Sequence, residues 1–184
     1  DWNRKNIPKT KHNFYSRGNR FFPLIFTRGC PYSCFEYCTY PLSQGRKTLH
    51  ADIDNMIAKL TQIQNKNKNA HIVFRDPVFS VNIKKTKLFL KNIIKSNLSL
   101  SFSAEMHLNN IDDEFIYLCA KANFHWLKFG IESAFEDIRN SVKRFSVPND
   151  FQREQINKIK AAGIKTHGMF ILVQPSDTLE TCEK

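Results

Sequence analysis

The sequence lacks any apolar run that approaches the roughly 18 residues needed for a membrane-spanning helix. Its first residues also lack the apolar core of a secretory signal peptide. These two absences predict a soluble, cytoplasmic protein without a membrane span. Acidic residues are scarce as well, with 17 Asp and Glu against 28 Lys and Arg, so the net charge is +11. Such an excess attracts polyanions, but the lysines are dispersed, so a nucleic acid is the less favoured partner.

The sequence also lacks an even number of cysteines. Five cysteines in a chain of 184 residues, 41% of them hydrophobic, exclude a fully paired disulfide scaffold and indicate a globular core. Cys119 lies in a helical pattern, "EFIYLCAKA", and is interpreted as a small buried hydrophobe. Cys182 gives no signal. Cys30, Cys34 and Cys38, four apart in one loop, remain to be explained.

The sequence has neither a Rossmann glycine fingerprint nor an evident internal repeat. Its predicted strands and helices alternate regularly. Strands are predicted over 21–29, 71–74, 98–105, 125–131 and 164–173, and helices over 52–64, 87–96, 113–122, 149–163 and from 177. Strands separated by single helices predict parallel pairing with right-handed crossovers. The sequence therefore predicts an α/β fold, a partial TIM-type (β/α) barrel over residues 21–184. Residues 1–20, polar and basic, are predicted to form a linker or arm.

In such a fold the chemistry lies at the carboxyl ends of the strands. The cysteine loop follows the first strand, and polar side chains follow the others. These side chains are Arg75, Asp76, Glu105, Glu132, Ser133, Gln174 and Ser176. We expect them to converge on one rim.

Three interpretations of the cysteine triplet remain open. A buried helix face is disfavoured because Gly29, Pro31 and Pro41 leave room for only a short helix. A structural zinc site needs four ligands, and His50 is the nearest imidazole. An iron–sulfur cluster held by three thiolates would keep one iron open for a substrate or cofactor.

The stretch "RGCPYSCFEYCTYP" (28–41) resembles the signature loop of radical S-adenosylmethionine enzymes. Other stretches match family motifs in the same order: "FRDPVFS" (74–80), "FSAEMHLNNID" (102–112), "FGIES" (129–133) with Arg144, and "GMFILVQPSDTLET" (168–181). The resemblance covers roughly residues 20–184. The opening "DW" is similar to the text that precedes the barrel in the cobalamin-binding branch. Since the chain starts at Asp1 and only five strands are predicted, we expect a portion of a longer protein, truncated after the fifth strand.

The resemblance implies that Cys30, Cys34 and Cys38 ligate a [4Fe–4S] cluster whose open iron binds S-adenosylmethionine. It implies that Tyr37 lies by the adenine. It also implies that Asp76, Glu105, Ser133 and Arg144 hold the amine, ribose and carboxylate of S-adenosylmethionine. The implied reaction is reductive cleavage to a 5′-deoxyadenosyl radical, with an electron donor such as flavodoxin or ferredoxin and a small-molecule or peptide substrate. In the cobalamin branch it implies methyl transfer, with cobalamin as a further cofactor.

One feature departs from the family pattern: the spacing is CxxxCxxxC, whereas the family has CxxxCxxC. An added residue gives up to about 3.3 Å more reach, so the loop can bulge and still present three thiolates, or one thiolate can be displaced. Two alternatives therefore stay open. One is a methylthiotransferase-like enzyme acting on transfer RNA, and the other is a degenerate barrel that serves as a binding module, with zinc.

Overall fold

The computed structural model describes residues 20–32, 34, 38–143 and 146–183. Its strands are β1 (Phe21–Leu24), β2 (Thr27–Arg28), β3 (Leu49–His50), β4 (His71–Phe74), β5 (Ser101–Met106), β6 (Phe124–Glu132) and β7 (Lys165–Phe170). Its helices are α1 (Tyr40–Gln44), α2 (Ile53–Lys66), α3 (Ile83–Lys95), α4 (Asp113–Lys121), α5 (Glu136–Ser141), α6 (Asn149–Ala161) and α7 (Leu179–Glu183). A short 3-10 turn (Leu108–Asn110) follows β5.

Five strands form one parallel sheet in the order β1-β4-β5-β6-β7. If the two-residue strands β2 and β3 are left aside, strands that are adjacent in this sheet also follow one another along the chain. Because parallel crossovers are right-handed, strands added in one direction place all the connecting helices on one face. The predicted class, a partial (β/α) barrel with five parallel strands, is confirmed.

The core lies between the sheet and the helices. Strand side chains alternate between two faces, and one of them, here called the outer face, packs against the helices. The outer face consists of Ile72, Phe74, Phe102, Ala104, Leu127 and Phe129, each at most 1% exposed. Phe74 stacks on Phe79 with ring centroids 4.9 Å apart, and Phe26 stacks on Phe89 at 4.2 Å. Aromatic rings thus contact one another within this core.

Three of the long helices begin at a side-chain cap. A carboxylate or amide oxygen at the N-cap accepts the backbone N–H three residues on, which satisfies one of the open donors of the first turn. The pairs are Asp52 with Asn55, Asn82 with Lys85, and Asp112 with Phe115. The cap predicted at Asp112 is therefore confirmed. Cys119 is fully buried in α4, as predicted, and burial raises the pKa of its thiol.

The predicted first strand over 21–29 is divided in two. β1 ends at Leu24, and β2 leaves the sheet to pair antiparallel with β3, with Thr27 opposite His50. The apolar pattern could not reveal this break because it depends on a partner far away in the sequence, Asp76, described below. The short helices α1 and α5 were also missed, since five or six residues are too few to establish a helical period.

Residues 1–19 of the predicted arm lie outside the described residues. Arg20, directly before β1, is hydrogen-bonded to the sheet, because its carbonyl oxygen accepts the N–H of His71 at 2.9 Å. Within the described part of the chain, no helix is both long and apolar enough to cross a membrane.

Candidate functional site

A cavity of about 310 Å³ opens at the carboxyl ends of the parallel strands. Its lining includes the three clustered cysteines, Tyr40, the strand-end acids Glu105 and Glu132, and residues in and directly after β7. The lining residues are Cys30, Tyr32, Cys34, Cys38, Thr39, Tyr40, Pro77, Val78, Glu105, Met106, His107, Gly130, Glu132, Met169 and Ile171. The expected convergence at one rim is therefore observed for the cysteines and for these two acids.

The cysteine loop is attached to the body of the protein at its first residue. Gly29 has a φ of +88°, and a Cβ there would overlap the carbonyl oxygen of Lys47. Only glycine tolerates both the backbone angle and the close approach. The N–H of Cys30 donates to the carbonyl of Gly45 at 3.0 Å. The turn that follows α1 thus fixes the position of Cys30.

The three thiols differ in exposure but share the cavity. Cys30 is 4% exposed, whereas Cys34 and Cys38 are half-buried. None of the five cysteines forms a disulfide. Among the described residues, no three His, Cys, Asp or Glu side chains gather closely enough to hold a single metal ion. The thiols thus line a common space and do not converge on one point.

Asp76 lies fully buried behind the cavity lining. Its Oδ1 accepts the N–H of Phe26 at 2.9 Å, and its Oδ2 accepts the N–H of Thr27 at 2.7 Å. Burial raises the pKa of this carboxyl to about 7, against the lowering effect of the two backbone N–H groups. Both oxygens are thus engaged with the chain that leads into the cysteine loop.

Glu105 projects into the cavity from β5. Its carboxylate accepts a hydrogen bond from the Arg75 guanidinium at 2.8 Å, and Glu105 is much less exposed than Arg75. Burial raises the pKa of Tyr40, and the nearby charge of Glu105 raises it further. Tyr40 therefore lies close enough to Glu105, Cys30 and Cys38 for their charges to interact.

Ser133 is buried behind Glu132, where the strand ends. The N–H of Phe135 donates to Ser133 Oγ at 3.2 Å, and the Ser133 carbonyl accepts Arg139 Nη1 at 2.6 Å. Arg139 is fully buried, and burial lowers the pKa of its guanidinium. It also donates to Ser146 Oγ and Asn149 Oδ1. Arg139 therefore cross-links the segment after β6, a role that the sequence did not reveal.

The other predicted rim residues are arranged around that segment. Gln174 Nε2 donates to the carbonyl of Glu132 at 3.1 Å, and Ser176 Oγ lies 2.8 Å from Ser141 Oγ. Glu132 has a φ of +69°, a strained angle for a side chain of this kind. Tyr37 and Arg144, both predicted to bind the cofactor, lie outside the described residues.

Sequence reasoning did not single out several other lining residues, among them Tyr40, His107 and Met169. His107 comes directly after β5 and its ring packs on Tyr32 at 4.9 Å, so the strand-end rule could have found it. Tyr40 lies in the short α1, for which there was no signal. His50, the fourth ligand of the zinc alternative, lies outside the lining and packs on Phe26 at 5.7 Å.

A sequence model described as Radical SAM superfamily matches residues 24–184. The chain belongs to this superfamily. The family predicted from the cysteine loop is thus confirmed.

Two relatives are similar over nearly the whole chain. An uncharacterized methyltransferase of Pyrococcus horikoshii is 25% identical over 180 residues, which cover 96% of this chain and 38% of the relative. A putative methylthiotransferase of Methanocaldococcus jannaschii is 22% identical, covering 94% of this chain and 39% of the relative. The chain therefore spans about two fifths of the length of these relatives.

The fold is also found in a solved structure. The radical S-adenosylmethionine methyltransferase TsrM of Kitasatospora setae, with cobalamin and a [4Fe–4S] cluster bound, superimposes with a TM-score of 0.77 at 17% identity. The match covers 89% of this chain and 33% of TsrM.

Proposed function

We propose that this chain is the catalytic portion of a radical S-adenosylmethionine enzyme, with its core over residues 21–184. In this proposal Cys30, Cys34 and Cys38 hold a [4Fe–4S] cluster, and S-adenosylmethionine binds beside it in the cavity. Bound there, a reduced cluster would supply one electron for the cleavage of S-adenosylmethionine to methionine and a 5′-deoxyadenosyl radical. A small iron–sulfur or flavin protein, ferredoxin or flavodoxin, is the proposed electron donor.

One observation carries the proposal: three cysteines of a single attached loop line the cavity at the strand ends. Thiolates are the usual ligands of iron–sulfur clusters. A cluster with several irons gives each thiolate its own metal atom, so it needs a shared cavity and not the tight convergence that a single ion needs. The arrangement of the thiols fits that requirement.

The remaining residues are proposed to bind and orient the cofactor. Glu105 and Glu132 line the cavity and offer carboxylate oxygens to the ammonium or ribose hydroxyls of S-adenosylmethionine. Asp76 is proposed as a positioning residue, because both of its oxygens hold the chain that enters the cysteine loop. Ser133 is proposed to orient the segment behind Glu132. Tyr37 and Arg144 keep the roles that the family resemblance implies.

The reaction that we propose for the whole protein is methyl transfer, with cobalamin as a second cofactor. It is supported by the relative named as a methyltransferase and by the likeness in fold to TsrM, which binds cobalamin. The proposed substrate is a small molecule or peptide.

A methylthiotransferase is the second candidate. The relative from Methanocaldococcus jannaschii carries that name, and the net charge of +11 would attract transfer RNA. RNA binding that weakens steeply with salt, together with sulfur insertion into RNA, would favour this candidate over methyl transfer.

The proposal is tested by anaerobic reconstitution of the chain with iron and sulfide. We expect about four irons per chain, a brown colour and formation of 5′-deoxyadenosine from S-adenosylmethionine after reduction. Single variants Cys30→Ala, Cys34→Ala and Cys38→Ala should each lose most of the iron. Cys182→Ala is the matched control, because it removes a half-buried cysteine distant in sequence from the loop.

Two results would overturn the proposal. One is a colourless product that takes up zinc but neither iron nor sulfide, which would favour the non-catalytic module. The other is equal iron uptake by the control variant and the three loop variants.

A further inference from the structure

Four side chains form a polar row across the face of the sheet opposite to the helices. The polar row consists of Arg75, Glu105, Lys128 and His167. Glu105 is the register partner of Lys128, and Lys128 is the register partner of His167. Arg75 follows β4 and is joined to Glu105 by the 2.8 Å ion pair. The row thus crosses four neighbouring strands.

The polar row lies on the same side of the sheet as the cavity. Leu127 and Phe129, on either side of Lys128, are at most 1% exposed and belong to the outer face. Lys128 therefore projects from the opposite face, because strand side chains alternate. Gly130 and Met169, two residues after Lys128 and His167, line the cavity, as Glu105 itself does. The row therefore reaches the cavity at Glu105, and Lys128 and His167 lie one step along their strands from lining residues.

The polar row has more donors than acceptors. Glu105 is matched by the guanidinium of Arg75. Within the part of the chain that the structure describes, the ammonium of Lys128 has no carboxylate at ion-pair distance. Burial is the largest cause that lowers the pKa of the His71 imidazole, followed by His125, and the charge of Lys128 lowers it further. Lys128 and His167 thus both offer hydrogen-bond donors, and Lys128 has no acidic partner among the described residues.

We propose that the polar row binds an anionic group, a carboxylate or a phosphate, of the molecule that is modified in this cavity. This inference rests on the proposed function. Lys128 is half-buried on this face of the sheet, and a partly desolvated charge without a counter-ion is unfavourable. An anion on the substrate satisfies the ammonium by a charge-assisted hydrogen bond. His167 supplies a second donor, and Glu105 holds the guanidinium of Arg75 at the end of the row.

The test uses the chain without a cluster, so that it does not depend on enzyme activity. Binding of radiolabelled inorganic phosphate and of radiolabelled succinate is measured by equilibrium dialysis. The wild type is compared with Lys128→Met and with the control Lys95→Met, which removes the same charge from the exposed end of α3. We expect Lys128→Met to weaken the preferred anion about tenfold, the size of one charge-assisted hydrogen bond. Lys95→Met should have no more than about a twofold effect.

The two probes separate the two chemical sources. Stronger binding of phosphate indicates a phosphorylated substrate, and stronger binding of succinate indicates a carboxylic acid. Equal losses in the two variants would overturn the proposal, because the binding would then reflect only the net charge. An absence of measurable binding of both anions to the wild type would overturn it as well.

A second measurement separates the substrate from S-adenosylmethionine, which carries its own carboxylate. In the reconstituted protein we expect Lys128→Met to leave the Kd of S-adenosylmethionine within about twofold of wild type. A tenfold loss would assign Lys128 to the cofactor and overturn the proposal. If the chain takes up no iron but binds anions through Lys128, the polar row stands and the proposed function fails. If it cleaves S-adenosylmethionine but its anion binding does not depend on Lys128, the proposed function stands and the proposal for the polar row fails.

Discussion

The two faces of the parallel sheet are built from the same strands but have opposite chemistry. The outer face carries Phe74, Phe102 and Phe129, each at most 1% exposed and covered by helices. The face toward the cavity, here called the inner face, carries Ser103, Glu105 and other polar side chains in alternate positions. Closed TIM barrels fill their interior with layers of bulky apolar residues. Here the inner face is polar. We therefore expect the outer face to contribute most of the folding stability and the inner face to contribute most of the ligand binding.

This difference follows from the order of the strands. With all crossovers of one hand and the strands in chain order, the long helices that connect these strands cover the outer face. Burial there can be complete, and substitutions should change stability. Substitutions at the cavity end of the inner face should mainly change what the cavity binds. The predictions below test that division, beginning with the largest effect.

Phe74→Ala should be the most destabilising of these substitutions. Phe74 packs on the rings of Phe79, Phe89, Phe102 and Phe124, so its removal leaves a cavity in the outer-face cluster. We expect a loss of about 3–5 kcal/mol in the free energy of unfolding, measured by urea denaturation.

The matched control is Val73→Ala, one residue away and on the inner face. It should cost clearly less, because Val73 is only half-buried. Equal losses at the two positions would contradict the division between the faces.

His71 should make the inner face sensitive to acid. Its ring nitrogens lie 2.8 Å from Ser101 Oγ and 2.9 Å from Ser103 Oγ, and burial lowers its pKa to about 4. The unfolded chain protonates His71 near pH 6.5, so the folded state loses stability as the pH falls from about 6.5 to 4. This loss should reach about 3 kcal/mol.

The acid effect is measured as the difference between wild type and His71→Gln in urea denaturation at several pH values. His71→Gln should remove this part of the acid dependence. His125→Gln, which changes an exposed imidazole, should retain most of it. If both variants lose stability in acid as the wild type does, His71 is not buried in its neutral form.

Gly29→Ala should damage the cysteine loop more than the fold. A positive φ costs an alanine about 1–2 kcal/mol, and the added methyl group would also meet the carbonyl of Lys47. We expect iron uptake on reconstitution to fall to less than about a quarter of the wild-type value, because Cys30 follows directly.

Gly163→Ala is the control for Gly29→Ala, since Gly163 has a φ of +81° with open space around it. It should lose similar stability from the backbone angle but keep its iron. Full iron uptake by Gly29→Ala would show that the attachment of the loop at Gly29 does not position the thiols.

Glu105→Gln should have the smallest effect on stability, below about 1 kcal/mol, because its partner Arg75 is half exposed and water screens the pair. Thermal denaturation should therefore hardly change. The same substitution should weaken binding of S-adenosylmethionine by the reconstituted protein, since it removes a carboxylate from the cavity lining. A large stability loss with unchanged binding would assign Glu105 to the fold.

The local patterns of the sequence were sufficient for most of the fold. Helical periods located α2, α4 and α6, and the short strand β4 was predicted with its observed bounds. The Asp112 cap follows from the preference of a carboxylate for the open N–H groups of a first turn. These features depend on residues that are neighbours along the chain, so the sequence alone contains the necessary information.

The residues of the candidate site could be predicted from the sequence only in part. The strand-end rule found the cysteine loop, Glu105 and Glu132, because parallel strands end at a common edge. It did not distinguish Asp76, whose oxygens are engaged with the backbone, from the acids that line the cavity. The cofactor-binding roles of Tyr37, Asp76, Glu105, Ser133 and Arg144 stay predictions.

By itself, the sequence determined the alternation of elements, the parallel sheet and the loop that carries three thiols. Only the tertiary structure decided that β2 leaves the sheet, that Asp76 holds Phe26 and Thr27, and that four charged or polar side chains align in one row. The physical reason is distance along the chain. The hydrogen bonds of Asp76 join positions 50 and 49 residues apart, and the polar row joins four strands whose register is set by packing.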